Sequence, residues 1–423
     1  MKFSFSKLKN KKSRCFLILD IGNETVKTLI LKVQDSKIVI LGTSLACLDE
    51  YGVFNGRKFE ADVIEKTISE TIENIQKVTD EKPKFILVGL SASNFKGRII
   101  WQTFERTDSK EGIVPEAVFP KKPFTILQKK YIRRQPLIDE KEEKDICQLA
   151  LKRAQKEISE EFARASGILP EDLHFTSLKI LEMKIDGYQV PSLRGYDGKK
   201  IELKILATFL PTLYFKNINN ALYKINLKNK TSLKWRIVHE SQGLISFSQN
   251  QEKDSIFLDI GGEVSQVFII KDKKIEGINE FEIGGKFFSE ELSQAFGVPE
   301  ETARDLKERY SKKLLSLESN TLIKGFFSPV QKEWFRELKI KIKEISQQKL
   351  LPSNIFIFGG GSLLPEFKEI LKKGNWDDLP LTNKPEVKFL YPKELKDIDG
   401  VTPNLNTPQY TPSLLMCYDT TCF

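Results

Sequence analysis

Histidine is almost missing from this sequence, with only His174 and His239, and the 5 cysteines (Cys15, Cys47, Cys147, Cys417, Cys422) are scattered without any CxxC spacing. A histidine-based triad, a zinc site and a disulfide framework are therefore all poorly supported, and a reducing cytoplasm is the expected setting. Long apolar runs are lacking too: none reaches the roughly 18 residues of a membrane span. The start, MKFSFSKLKNKKSR, lacks the apolar core of a secretory signal. Two common phosphate-binding fingerprints are also absent. A dinucleotide site needs GxGxxG opening a helix and a P-loop needs GxxxxGK[ST], whereas the Asp-Ile-Gly turns of this chain lead into strands.

What is present suits a protein of at least two lobes, because 423 residues exceed what one hydrophobic core usually serves. The net charge of +9 would suit nucleic acid, an anionic membrane or a lysine-rich genome. Its densest patch is residues 1–14, with six Lys or Arg, no acid, and Phe3, Phe5 and Leu8 among them. That pattern reads either as a solvated tail or as a peripheral contact with anionic lipid. The stretch PKKPFTILQKKYIRRQP is basic as well, but it has no interleaved aromatic pattern and no helix-turn-helix spacing, so no nucleic acid is expected.

The chain repeats one device. CFLILDIGNETVKTLILKV reads as strand, polar glycine turn, strand, and SIFLDIGGEVSQVFIIKDKKI reads the same way. Helical spacing of Val63, Ile64, Ile68, Ile72 and Ile75 follows the first copy, and a short buried strand, FILVGLSAS, follows that. Strand, turn, strand, helix, strand is an α/β unit, and its duplication predicts two similar lobes facing a ligand cleft. Residues 97–215 differ, being polar with a charged helix at 139–166 and short strands, and read as an inserted α+β domain. A third glycine cluster, NIFIFGGGSLLPEFKEILKK, reads as strand, turn, amphipathic helix. Helices are expected at 286–296, 299–315 and 329–348.

Such turns bring backbone N–H groups close to phosphate oxygens. Asn23, Thr25 and Lys27 could add donors or charge, and Asp20 could hold magnesium through water. Taken together and in order, DIGNETVK, DIGGEVSQV and IFGGGSLLP resemble the actin-like ATPase superfamily, and within it the bacterial cell-division family FtsA. VGLSASNFKG, LHFTSLKILEMKIDGYQVPSLRGYDGKKIELK and FEIGGKFFSEELSQAFGVPEETARDLKERY carry the same likeness. The resemblance implies an actin-like fold, two duplicated ribonuclease-H-like lobes around a nucleotide cleft with an α+β subdomain inserted in the first lobe. Its expected parts are a basic tail (1–14), a first lobe (15–96 and 216–250), the insert (97–215) and a second lobe (251–423), within which about 298–350 is a reduced, mostly helical subdomain.

The resemblance further implies a cytoplasmic protein at the inner face of the membrane that binds ATP and Mg, forms filaments with itself, and links FtsZ or another division protein to the membrane. Residues 1–14 would supply the contact with anionic lipid. Carried onto this sequence, nucleotide binding would fall to Asp20, Gly22, Asn23 and Lys27; to Asp259, Gly261, Gly262 and Ser265; to Gly284 and Gly285; to Lys307; and to Gly359, Gly360, Gly361 and Ser362. Asp20 and Asp259 would hold Mg through water. No catalytic residue is identified.

Three departures matter. The second phosphate turn carries Glu263, Val264, Ser265 and Gln266 where the family has a third glycine, two threonines and an aspartate. A carboxylate 4 Å from a phosphate is repelled by about 4 kcal/mol at an effective dielectric near 20, so either Glu263 points away or nucleotide binds weakly, and hydrolysis is expected to be weak or absent. Arg304 stands near the place of a ribose-facing glutamate. The segment 310–354 is too short for the subdomain that carries the FtsZ surface in the family, which is closer to the pilus-assembly relative PilM, a platform that binds a membrane protein's cytoplasmic peptide through its insert. A sugar kinase on the same fold needs a catalytic base that the sequence does not offer.

Overall fold

The computed structural model describes residues 14–34, 37–47, 61–77, 79–106, 136–229, 232–249, 253–347 and 349–418. The basic tail, but for Arg14, and the basic stretch 120–136, but for Pro136, lie outside them. The described residues form two compact units, one within 99–207 and a main unit within 14–98 and 208–418.

In the main unit, β1 (Arg14–Ile21), β2 (Thr25–Gln34) and β3 (Lys37–Cys47) form an antiparallel meander. β4 (Phe85–Leu90) runs parallel to β1, and β9 (Lys234–Ile237) runs parallel to β4. Phe16, Leu17, Ile18 and Leu19 are all fully buried, the mark of a central strand covered on both faces. α1 (Ala61–Gln76) buries Ile68, Ile72 and Ile75, one helical face, against this sheet and against α3 (Thr212–Asn229).

The second sheet repeats the first. β10 (Ser255–Ile260), β11 (Ser265–Lys271) and β12 (Lys274–Phe281) are an antiparallel meander, β13 (Asn354–Phe358) is parallel to β10, and β14 (Glu386–Phe389) is parallel to β13. The duplication reaches a fine detail. The register breaks between Ile30 and Leu31 in one meander and between Ile269 and Ile270 in the other, at the same distance past Asp20 and Asp259.

Helices α5 (Gly285–Phe296), α6 (Glu300–Ser311) and α7 (Leu317–Ser346) cover the second sheet. The sequence places a helix start at 329; instead α7 begins at Leu317, capped by the Ser316 hydroxyl accepting from the Ser319 N–H at 3.2 Å, and runs straight through Pro329. A proline there removes one helical hydrogen bond. Phe327, Val330, Trp334, Leu338 and Ile342, all buried on one face, offset that loss. α8 (Pro365–Lys373) follows the third glycine cluster.

Two short helices tie the sheets together. α4 (Glu240–Ser248) packs on β12 and on α9 (Thr411–Leu415), while α9 packs on β1 and β2. Gly243 permits the crossing, since a Cβ there would lie 2.0 Å from the Leu415 carbonyl. β15 (Ile398–Asp399) pairs in parallel with β3, so late residues complete the first sheet.

The other unit holds a four-stranded sheet in the order β5 (Lys96–Glu105), β8 (Lys200–Pro211), β6 (Leu173–Ile185), β7 (Tyr188–Val190). α2 (Glu140–Ser166) packs on β6 and buries Ala150 and Ala154 with Ile201, Leu203 and Ile205. It starts at Asp139, whose carboxylate accepts from the Glu142 N–H at 2.8 Å, and stops at left-handed Gly167.

Candidate functional site

The two hairpin turns are built alike. The Gly22 N–H donates to the Thr25 carbonyl at 2.9 Å, and the Gly261 N–H donates to the Val264 carbonyl at 3.0 Å. Asp20 stands opposite Lys27 in its hairpin, and Asp259 stands opposite Gln266. Glu24 and Glu263 are therefore equivalents, one on each turn.

The remaining glycines form a backbone nest around the second turn. The N–H groups of Gly285 and Lys286, at the start of α5, donate to the Gly261 and Gly262 carbonyls at 2.9 and 2.7 Å. These two donors, the sort a helix terminus offers an anion, are already engaged. A Cβ at Gly284 would lie 2.4 Å from the Gly262 carbonyl, and one at Gly361 would lie 2.6 Å from the Gly261 carbonyl. Gly359 has φ +87, and its Cβ would meet Asp259 Oδ1 at 2.0 Å. Gly360 has open space around it. The Ser362 hydroxyl donates to the Gly359 carbonyl at 2.7 Å. Lys307 is buried and donates to the Gly285 carbonyl at 2.9 Å; burial lowers its pKa, against the opposing pull of Glu24.

Of the residues assigned to nucleotide by resemblance, Ser265 turns wholly into the core. Its hydroxyl donates to the Ile283 carbonyl at 2.7 Å and accepts from the Trp334 indole at 2.8 Å. The others surround the two turns. Lys27 lies 3.5 Å from the Asp20 carboxylate, which also accepts from the Ser413 hydroxyl. Asp259 is deeply buried beside Glu240. Burial raises the Asp259 pKa to about 7, with Lys27 opposing and Asp20 reinforcing; Glu240 is pushed well above the usual carboxylate range by burial and by Asp259. Asp259 Oδ1 and Glu240 Oε2 have no hydrogen-bond partner among the described residues.

Glu240 escaped the sequence reading. Its signal is faint: a carboxylate opening a helix directly after a short strand, with nothing in the local pattern to mark its approach to Asp259.

The mouth of the site is occupied by side chains. Asn23 Nδ2 donates to Glu263 Oε2 at 2.5 Å, joining the tips of the two hairpins, and Lys286 lies 3.4 Å from Glu263 Oε1. Glu24 lies over Gly262, whose Cβ would be 3.5 Å from the Glu24 side chain. Ser93 Oγ donates to Asn23 Oδ1 at 3.1 Å and fixes the amide orientation. A triphosphate would have to displace Glu24 and Glu263 and then sit beside them, so the residues as arranged do not fit one. Among the described residues no group of three His, Cys, Asp or Glu is placed to hold a metal directly. Asp20 is neutralised by Lys27, and Asp259 Oδ1 is pressed against Gly359.

Two like-built sheets with facing hairpin turns, a third glycine turn after β13 and an inserted α+β unit define the actin-like ATPase fold, whose members generally bind nucleotide with Mg. Residues 256–414 match the family described as cell division protein FtsA. Over 95% of this chain and 97% of the other, the structure is similar to one from the PilM–PilN type IV pilus biogenesis complex, at 16% identity and a TM-score of 0.62. It is more distantly similar to a diol dehydratase-reactivating factor in nucleotide-free form, at 9% identity and a TM-score of 0.47 over 96% of this chain and 99% of that one. The ethanolamine utilization protein EutJ from Carboxydothermus hydrogenoformans stands at 12% identity and a TM-score of 0.46 over 96% and 89%. No curated protein matches the sequence. The chain thus has the actin-like ATPase fold, with a likeness to FtsA over residues 256–414. Among the described residues no helix is long and apolar enough to cross a membrane.

Proposed function

We propose that this protein is an adaptor: an actin-like body that self-associates and joins a partner protein to the inner face of the cell membrane, with the basic segment 1–14 contacting anionic lipid. The observation that carries this reading is the likeness to the PilM–PilN complex across nearly the whole of both chains, insert included, joined to the FtsA match over residues 256–414. One is named for cell division and the other for pilus biogenesis. No hydrolytic step is proposed.

The FtsA match supports a division role, for which FtsZ is the proposed partner. One structural observation favours the pilus-type reading instead. Residues 285–346 are covered by α5, α6 and α7 with no strand among them, which leaves no small sheet of the kind expected to carry the FtsZ surface. A pull-down decides between them. The C-terminal peptide of FtsZ and a short cytoplasmic peptide from a single-span pilus membrane protein are each immobilised, and capture of the full chain by the second alone supports the pilus role. Capture by neither would remove both partners from the proposal.

A further inference from the structure

The turns that the fold uses for phosphates meet each other in this chain, and the contact is made by groups of opposite character. Asn23 on the first turn donates to Glu263 on the second, Lys286 at the start of α5 pairs with the other Glu263 oxygen, and Glu24 from the first turn covers Gly262. We propose that the Glu263 carboxylate is an internal stand-in for a phosphate, forming with Asn23 and Lys286 a latch that holds the two lobes closed without nucleotide.

Three features carry this. First, Glu263 accepts from an amide and lies beside an ammonium group, the contacts a phosphate oxygen would seek from the same surroundings. Second, the donors at the start of α5 are bonded to the Gly261 and Gly262 carbonyls, so they are not reserved for a ligand. Third, the closed arrangement is pinned a second time. Arg98 and Lys96, at the start of β5, reach Glu280 on β12 of the second lobe, at 2.5 Å and 3.3 Å. Nothing in the latch depends on which partner the protein carries, so the inference and the adaptor reading stand or fall separately.

The test uses the full chain, a fluorescent ATP analogue with magnesium, and amide hydrogen exchange. Wild type is expected to show no saturable binding up to about 1 mM analogue and no change in exchange of residues 20–27 and 259–266 on its addition. E263G is expected to raise exchange of those same segments at least about tenfold without ligand, the effect of losing a hydrogen bond to a charged group. N23A removes the same bond while leaving every charge in place, and is expected to reproduce the increase if the glycine variant folds poorly. Saturable binding by wild type in the micromolar range, with protection of the two turns, would overturn the proposal. So would exchange that stays at the wild-type level in both variants.

Discussion

Replacing Glu280 by glutamine removes the charge that joins the two lobes at the root of the inserted unit. Burial alone would raise the Glu280 pKa, but Arg98 and then Lys96 overcome it and hold the carboxyl at about 2, against an ordinary value of 4.5. That difference corresponds to about 3 kcal/mol in favour of the folded state. The same figure follows from the other side, since removing one partner of a buried pair typically costs about 3–5 kcal/mol and Arg98 keeps some contact with water. The assay is urea unfolding followed by tryptophan fluorescence in a W101F background, because Trp101 lies in the inserted unit while Trp235, Trp334 and Trp376 belong to the main one. At pH 7, E280Q is expected to lose about 3 kcal/mol at unchanged slope. Because the folded pKa is depressed, the wild-type advantage is full above pH 4.5 and fades as pH falls towards 2, where the two proteins converge. His239 adds a separate loss at milder acidity. Burial lowers its pKa to about 4, with Glu280 opposing and Arg98 and Lys96 reinforcing, and its ring contacts Phe95 and caps Ser241. The unfolded chain therefore takes up a proton below about pH 6.5 that the folded one refuses, so stability falls between 6.5 and 4. A destabilisation by E280Q under about 1 kcal/mol at pH 7, or one that persists unchanged at pH 2, would refute the reasoning.

Two further changes probe the glycine nest and the core beneath it. G284A forces a methyl against the Gly261 and Gly262 carbonyls, at 2.6 and 2.4 Å, and is expected to cost more than about 2 kcal/mol by thermal unfolding; G360A, facing open space, should stay within about 0.5 kcal/mol. S265A deprives the buried Trp334 indole of its acceptor and is expected to cost about 1–3 kcal/mol with a shift in tryptophan emission; emission and stability both at wild-type values would show that the indole finds another partner.

Much of the fold was legible because its signals are local. The apolar runs on either side of Asp20 and Asp259, the glycines after them and the helical spacing of Ile68, Ile72 and Ile75 each follow from a few neighbouring residues. Their repetition pointed to the two lobes. Helix α7 was misplaced at its start because proline is normally read as a beginning, whereas here tertiary burial of the residues on both sides of Pro329 carries the helix through. Within the site, the glycines were found by pattern, and Glu263 stood out as a residue at odds with its turn. Its partner was invisible: Asn23 is far away in sequence, and only the facing of two turns brings it near. The same holds for Glu240 beside Asp259 and for Glu280 beside Arg98, pairs whose members carry no mark of each other in the chain.

The pairing of β15 with β3, and of α9 with β1 and β2, has a consequence for how the protein is made. The first meander leaves the ribosome early, yet the strand that covers its β3 edge and the hydroxyl of Ser413 that satisfies Asp20 come from residues 398–413. At about 5–20 residues per second the wait is on the order of tens of seconds. During that time the nascent chain carries an open sheet edge beside a buried-type aspartate without its full set of partners. Synthesis order thus makes the earliest lobe the last to be finished, and exposes it to chaperones for longer than its sequential position suggests.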